Sequence, residues 1–257
     1  MSQTPRPGER HLGVGGKVVF ALGDHSVNVA LSSLSLVFMF FLTDVAGLRP
    51  ALAGTVVLVA RIVDAVTDPA MGRISDRTQT RFGRRRPYFL IGALPLGLAF
   101  AMLWRTPFAG QAEMALYYTL LYVCVSLSLT VLSVPYMALI PEMALDYHER
   151  TSVNAYRNVF TVFGTMLAAT MPLIVEYFGG GKAGFAMMGI AVATWMVVPW
   201  PFVFGVSFER DEIDRSDGGS VREALNAVTR HGTFGRLCGM YITSRIALDV
   251  SGMAFFY

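Results

Sequence analysis

The stretch of sequence that decides the fold runs from Arg61 to Pro87 and reads RIVDAVTDPAMGRISDRTQTRFGRRRP. Its first half lies in an apolar segment, residues 51–71, that nonetheless carries Arg61, Asp64 and Asp68. A charge at the centre of a bilayer costs about 2.5–3.5 kcal/mol, whereas a Leu or Val returns only a few tenths. Either this segment does not cross a membrane, or its charges face a protein interior in which they find partners.

The composition of the chain favours the membrane interpretation. Of its 257 residues, 54% are hydrophobic and only 15% are charged, and its mean hydropathy is +0.50. Charged residues make up about a quarter of an average soluble domain. Because this chain has far fewer and has long apolar runs, it is predicted to be a polytopic membrane protein. The net charge of +3 is small and the arginines concentrate in one loop, so we expect no nucleic-acid partner. The two cysteines, Cys124 and Cys238, form neither a disulfide framework nor a metal-ligand pattern.

Seven apolar runs are near or above the roughly 20 residues that a helix needs to cross a bilayer. They are residues 19–44, 50–72, 88–106, 114–140, 152–178, 184–206 and 237–257. The predicted fold is therefore all-α. Its parts are a cytoplasmic tail over 1–18, a six-helix bundle over 19–206, a cytoplasmic linker over 207–236 and a seventh helix over 237–257. Within the linker, Ser220 and Glu223 have capping-box spacing and predict a short amphipathic helix.

The distribution of basic residues predicts a cytoplasmic N-terminus. With that orientation, fifteen Lys and Arg residues lie in inner segments and three in outer loops, a strong positive-inside bias. The inner set is Arg6, Arg10, Lys17, Arg73, Arg77, Arg81, Arg84, Arg85, Arg86, Arg150, Arg210, Arg215, Arg222, Arg230 and Arg236, and the outer set is Arg49, Arg105 and Lys182.

Four spans carry polar residues three or four positions apart, which places each set on one helix face. The sets are Asp24, Asn28, Ser32 and Ser35 in the first span; Arg61, Asp64 and Asp68 in the second; Ser126, Thr130 and Ser133 in the fourth; and Asn154, Arg157 and Thr161 in the fifth. Small polar residues in membrane helices also serve helix packing, and this alternative stays open. We expect these four spans to face a shared aqueous cavity and the third and sixth spans to support them from outside.

Two separated motifs resemble those of a known transporter family. Residues 72–86, GRISDRTQTRFGRRR, resemble the loop signature of the major facilitator superfamily. The stretch 64–69, DAVTDP, and the blocks PYMALIPE (135–142) and DYHERT (146–151) are similar to the glycoside–pentoside–hexuronide:cation symporters, the melibiose carrier family. The resemblance extends over essentially the whole chain. It implies two six-helix bundles around a central site, of which this chain would supply the first bundle and the seventh helix.

The resemblance implies a coupling-cation site at Asp64, Asp68, Thr130 and Thr67, and no cofactor or other metal. Residues four apart on a helix are separated by a rise of about 6 Å on one face. Two carboxylates that close repel each other, and a Na⁺ or a proton relieves the repulsion. Melibiose-type members carry Asn where this chain has Thr67, so the choice between Na⁺ and H⁺ stays open.

The resemblance also implies a substrate site. Its candidate residues are Asp24, Asn28, Ser133, Tyr136, Asn154 and Arg157. Asn28 and Ser133 stand where melibiose-type members use sugar-binding aspartates, which argues against an α-galactoside. Two interpretations of Arg157 stay open: it binds an anionic sugar such as a uronide, or it is a structural partner of a helix-two aspartate or of Asn154.

The resemblance also implies a cytoplasmic gate, formed by charges at the inner ends of the second and fourth spans. They are Asp76, Arg77, Glu149 and Arg150. Positive-inside anchoring alone is the alternative explanation for the arginines.

The function predicted from the sequence is cation-coupled symport of a sugar, glycoside or uronide across the inner membrane, without enzymatic activity. The expected partners are the substrate, the cation, the bilayer and a second bundle. A lysolipid carrier is the alternative within the superfamily, because related members move lipids. A seven-helix receptor of the retinal type fits poorly, because the only lysines, Lys17 and Lys182, lie outside the spans.

Overall fold

The computed structural model describes residues 12–209, 235–241 and 243–244. Residues 12–209 belong to one compact unit, and the later residues, which are helical, belong to a second unit. The described residues form helices and no strand, which confirms the all-α prediction. The predicted linker helix after Ser220 and most of the predicted seventh span lie outside the described residues.

The first unit contains nine α-helices within its described residues. They are α1 (Val14–Leu36), α2 (Phe38–Phe40), α3 (Pro50–Arg77), α4 (Pro87–Leu103), α5 (Gln111–Met143), α6 (Tyr147–Ala169), α7 (Met171–Tyr177), α8 (Gly181–Val197) and α9 (Pro199–Val206), with a π-helical turn at Phe41–Val45.

By length and composition, three of these stretches can cross a bilayer: α3, α5 and α8 together with α9. Two bent pairs, α1 with Phe38–Val45 (47°) and α6 with α7 (44°), raise the number to five if each is one broken span. Helix α4 is apolar but has only 17 residues, fewer than the roughly 20 of a full span.

Two helices begin before the predicted spans. Helix α1 begins at Val14, within the residues predicted as the tail over 1–18. Helix α6 begins at Tyr147 rather than near 152, because the Asp146 carboxylate accepts hydrogen bonds from the backbone N–H groups of His148 (2.9 Å) and Glu149 (3.3 Å). A side-chain acceptor at this position satisfies N–H groups that have no partner within the helix.

The helices pack in pairs that follow their polar faces. Helix α1 lies along α6, and α3 lies along α5. The apolar helix α4 packs against α5 and α8, and α9 packs against α1. The polar faces of the first and fifth predicted spans therefore meet each other, and so do those of the second and fourth.

One glycine allows the close approach of α6 to α1. A Cβ atom added to Gly164 of α6 would lie 2.8 Å from the backbone oxygen of His25 and 3.2 Å from the Cβ of Asn28, both on α1. No side chain other than hydrogen fits at that distance without displacing backbone. The contact brings the polar face of α6 within hydrogen-bonding range of α1.

Candidate functional site

Two hydroxyl groups of α5 face the paired aspartates of α3. The Thr130 hydroxyl donates to the Asp68 carboxylate at 2.7 Å. One helical turn earlier on each helix, the Ser126 hydroxyl lies near enough to the Asp64 carboxylate to stabilise its charge. Ser126 and Thr130 are buried, Asp64 is half-buried and Asp68 is exposed. The structure thus brings together Asp64, Asp68 and Thr130, and adds Ser126.

The remaining predicted cation ligand, Thr67, is bonded within its own helix. Its hydroxyl donates to the backbone oxygen of Val63 at 2.9 Å. Arg61, one turn before the aspartates, lies near enough to Asp64 to interact with its charge. Within the described residues no group of three or more His, Cys, Asp or Glu side chains could hold a metal ion. The α3–α5 site consists of two carboxylates and two hydroxyls, ligands that suit a small hard cation.

A second polar cluster lies between α1 and α6 and centres on a buried ion pair. Arg157 Nη2 donates to Asp24 Oδ1 at 2.8 Å, and the Thr161 hydroxyl donates to the other oxygen of the same carboxylate. The side chains of Arg157 and Asp24 are only 10% and 6% exposed. Both oxygens of Asp24 are therefore occupied, and the charge of Arg157 has a direct counter-ion.

Two amides flank this ion pair. Arg157 Nη1 donates to Asn154 Oδ1 at 2.9 Å. Asn28 Nδ2 donates to the backbone oxygen of Asp24 at 2.9 Å and to the Thr161 hydroxyl at 3.3 Å. Of the structural partners predicted for Arg157, Asn154 is present. A helix-two aspartate is not its ion-pair partner, because the guanidinium is paired with Asp24 of α1 instead.

The predicted substrate residues on α5 support the cluster from behind. Tyr136 is fully buried, and its hydroxyl donates to the backbone oxygen of Phe20 at 2.8 Å. The Arg157 guanidinium lies 5.4 Å from the Tyr136 ring centroid and donates to the Met137 sulfur at 2.8 Å. Ser133 is half-buried on the same helix. Tyr136 thus holds Arg157 in place and has no exposed surface of its own.

The loop between α3 and α4 is held by a network of charges that includes the candidate gate residue Asp76. Arg85 donates to Asp76 at 2.5 Å and to Glu142 at 2.7 Å, and Arg84 donates to Glu142 at 2.8 Å. The Glu209 carboxylate accepts hydrogen bonds from three successive backbone N–H groups, those of Arg84 (2.8 Å), Arg85 (2.8 Å) and Arg86 (3.3 Å). The last described residue of the first unit therefore fixes the loop that precedes α4.

The four predicted gate residues do not form one cluster. Asp76 joins the network through Arg85 rather than through the adjacent Arg77, which is exposed in the last turn of α3. Arg150 donates to the backbone oxygen of Ala144 at 3.3 Å, and Glu149 lies in the first turn of α6. In the sequence, the three successive arginines before Pro87 indicated that this loop carries charged contacts. Nothing in the acidic stretch around Glu209 indicated that Glu209 would bind this loop.

Comparison with known proteins gives the family. The family model described as "MFS/sugar transport protein" matches residues 19–257, which is nearly the whole chain. The chain is 31% identical over 252 residues to the inner membrane symporter YicJ of Escherichia coli, which covers 96% of this chain and 54% of that protein. It is 30% identical over 218 residues to the isoprimeverose transporter of Lactiplantibacillus pentosus, and this match covers 82% of this chain and 46% of the transporter.

A third relative is the sodium-dependent lysophosphatidylcholine symporter 1-A of Danio rerio, 37% identical over 175 residues, covering 66% of this chain and 32% of that protein. The chain spans between about a third and about half of the length of these relatives. The match over residues 19–257 confirms the resemblance to the glycoside–pentoside–hexuronide symporters. This all-α membrane chain belongs to the MFS/sugar transport protein family of the major facilitator superfamily.

Proposed function

We propose that the chain is the N-terminal part of a secondary transporter that moves a sugar or glycoside together with a cation. The observation that carries the proposal is the pairing of Asp64 and Asp68 with Ser126 and Thr130 between α3 and α5. Two carboxylates within a membrane span are costly, and a bound cation offsets both their mutual repulsion and part of their desolvation. The cation is Na⁺ or H⁺, and a relative named as sodium-dependent supports the former.

The α1–α6 cluster supports a sugar-like substrate. Amides, a hydroxyl and an ion pair lie together there, and each can exchange hydrogen bonds with the hydroxyl groups of a sugar. The isoprimeverose transporter is a relative whose printed name states a sugar substrate. We assign Asp24, Asn28, Asn154 and Arg157 to substrate binding, together with Ser133 and Tyr136 of α5, of which Tyr136 lies next to Arg157.

A lysolipid is the second candidate substrate, and one observation favours it. An apolar groove lies between α6, α7 and α8, lined by Leu167, Ile174, Ala191, Val192 and Trp195. A groove of this kind would suit an acyl chain, and a relative is named as a lysophosphatidylcholine symporter. All five residues that line the groove are uncharged, so the groove offers no binding site for a charged lipid headgroup. The sugar therefore remains the favoured substrate.

Uptake by energised membrane vesicles separates the two substrates. In a complete transporter that contains this chain, we expect an imposed cation gradient to drive accumulation of radiolabelled neutral glycosides. An excess of unlabelled glycoside should abolish the signal, and lysophosphatidylcholine below its micellar concentration should leave it unchanged. Gradient-driven uptake of lysophosphatidylcholine without glycoside uptake would instead establish the lysolipid carrier.

The transport mechanism that we propose requires a second bundle that rocks against this one around the shared site. The network of Asp76, Arg84, Arg85, Glu142 and Glu209 would stabilise one of the two states. The four residues predicted as a gate, Asp76, Arg77, Glu149 and Arg150, lie on the same inner ends. We further propose that the protein lies in the inner membrane with its N-terminus in the cytoplasm, as the distribution of basic residues predicts.

Cysteine labelling tests this orientation. In a variant whose Cys124 and Cys238 are replaced by Ser, a membrane-impermeant maleimide applied from outside should label Gly180→Cys, in the turn between α7 and α8. The same reagent should label Gln79→Cys, in the loop between α3 and α4, only after permeabilisation, because the proposed orientation puts fifteen of the basic residues outside the spans on the inner side. The reverse pattern would overturn the orientation.

A further inference from the structure

The charge balance of the α1–α6 cluster bears on which substrates it can accept. Arg157 carries one positive charge and Asp24 one negative charge, and their 2.8 Å contact is buried. The basic side chains of α1 do not pair with Asp24: Lys17 donates to the Ser152 hydroxyl at 3.0 Å, and the neighbouring His25 is neutral. The Trp195 indole N–H can only donate, so His25 Nε2 accepts it at 2.9 Å, and Nδ1 then donates to the backbone oxygen of Phe160.

The ion pair is less exposed than the polar groups around it. Asn28 and Asn154 are half-buried and Met137 is 48% exposed, whereas Asp24 and Arg157 are buried. The side chains of Arg157 and Asp24 are about equally buried and in direct contact, so a ligand that reaches one charge also meets the other. One donor atom of the guanidinium, Nε, is buried without a hydrogen-bond partner.

These contacts treat neutral and anionic ligands differently. An anion gains attraction from Arg157 but is repelled by Asp24 at nearly the same distance, and it also loses its hydration. A sugar hydroxyl carries no net charge, so it can accept from the guanidinium and donate to the carboxylate or to an amide oxygen without either penalty.

We propose that Asp24 sets the substrate class of this site to neutral glycosides and excludes hexuronides, by neutralising Arg157. The inference rests on the proposed sugar symport and deepens it. It decides between the two interpretations of Arg157 that the sequence left open. Arg157 serves the site as one half of an ion pair, and it offers no free positive charge to a uronate.

The test compares matched substrates that differ only at the terminal carbon of the sugar. Methyl glucoside is paired with methyl glucuronide, and methyl galactoside with methyl galacturonide, in uptake by a complete transporter containing this chain. We expect the unmodified protein to prefer the neutral member of each accepted pair by about tenfold or more. In Asp24→Asn, which leaves Arg157 unpaired, this ratio should shift toward the uronide by about tenfold or more.

A double variant shows whether the shift works through Arg157. Asp24→Asn combined with Arg157→Gln should lose the gain in uronide uptake, whereas a merely structural role of Asp24 predicts no such dependence. The conservative Asp24→Glu should keep the neutral preference. Glu113→Gln, the same loss of one carboxylate at an exposed position in the first turn of α5, should leave the ratio unchanged.

The outcomes distinguish this inference from the function on which it rests. Uptake of uronides by the unmodified protein at or above the neutral level overturns the inference and leaves sugar symport intact. An unchanged ratio in Asp24→Asn also overturns it. If Asp24→Asn does not fold, the ratio in the unmodified protein and in Asp24→Glu decides. Absence of cation-driven uptake of every sugar overturns the proposed function, and the inference with it.

Discussion

Asp64→Asn and Asp68→Asn are each expected to abolish uphill, cation-driven accumulation of substrate. Each change removes one of the two negative charges between α3 and α5, while the amide keeps the size of the side chain. One carboxylate alone lacks the repulsion that a Na⁺ or a proton relieves, so the free-energy gain from binding the cation falls. Downhill exchange of substrate should persist in part, because the α1–α6 cluster is unchanged.

A binding measurement on the purified 257-residue chain supports the transport assay, since all four groups of the α3–α5 site belong to it. A ligand present at about 100 times its dissociation constant stabilises the folded state by about 2.7 kcal/mol. We expect NaCl, compared with choline chloride, to raise the thermal unfolding temperature of the unmodified chain if Na⁺ is the coupling ion. The shift should be absent in Asp68→Asn and unchanged in the control Glu176→Gln, whose carboxylate is exposed on α7. Normal accumulation by both aspartate variants would refute the site.

Gly164→Ala is expected to lower the free energy of unfolding by about 1–3 kcal/mol, the usual cost of overpacking. The added methyl group would lie 2.8 Å from the backbone oxygen of His25, which cannot move without shifting α1. Separation of α1 from α6 would also lengthen the contact between Asp24 and Arg157. Thermal unfolding in detergent, followed by tryptophan fluorescence, measures the loss.

Gly54→Ala is the matched control, because a Cβ atom at Gly54 of α3 meets nothing within 4 Å. In a helix interior this change should be neutral or stabilising, by about 0.5–1 kcal/mol. If Gly164→Ala were as stable as the unmodified chain, the close approach of α1 and α6 would be wrong.

The fold could be predicted from the sequence because membrane spans depend on a local property, the length of an apolar run. The positions of the first six spans correspond to helices within a few residues. Helix starts were less predictable where a polar side chain extends the helix beyond the apolar run, as Asp146 does before α6. The bends after α1 and α6 were not predicted, since nothing in hydropathy marks them.

The site could be predicted only as far as helix periodicity reaches. Steps of three and four placed Asp24 and Arg157 on the polar faces of their helices, but periodicity does not say which faces meet. Their ion pair joins residues 133 positions apart in the chain. Ser126 was visible in a polar face, yet its role depends on the register between α3 and α5. Glu209 gave no signal, because its hydrogen-bond partners are backbone N–H groups, which every sequence contains.

The hydrogen bond between Trp195 and His25 gives the molecule an optical reporter of its own. Trp104 and Trp200 are fully buried, whereas the Trp195 side chain is 58% exposed on α8. A quencher carried by lipid tails would therefore reach one of the three indoles. Because the same indole is bonded to the residue that follows Asp24, its emission is tied to the position of α1 relative to α8. Movement of α1 relative to α8 can therefore be followed by the intrinsic fluorescence of Trp195, without a chemical label.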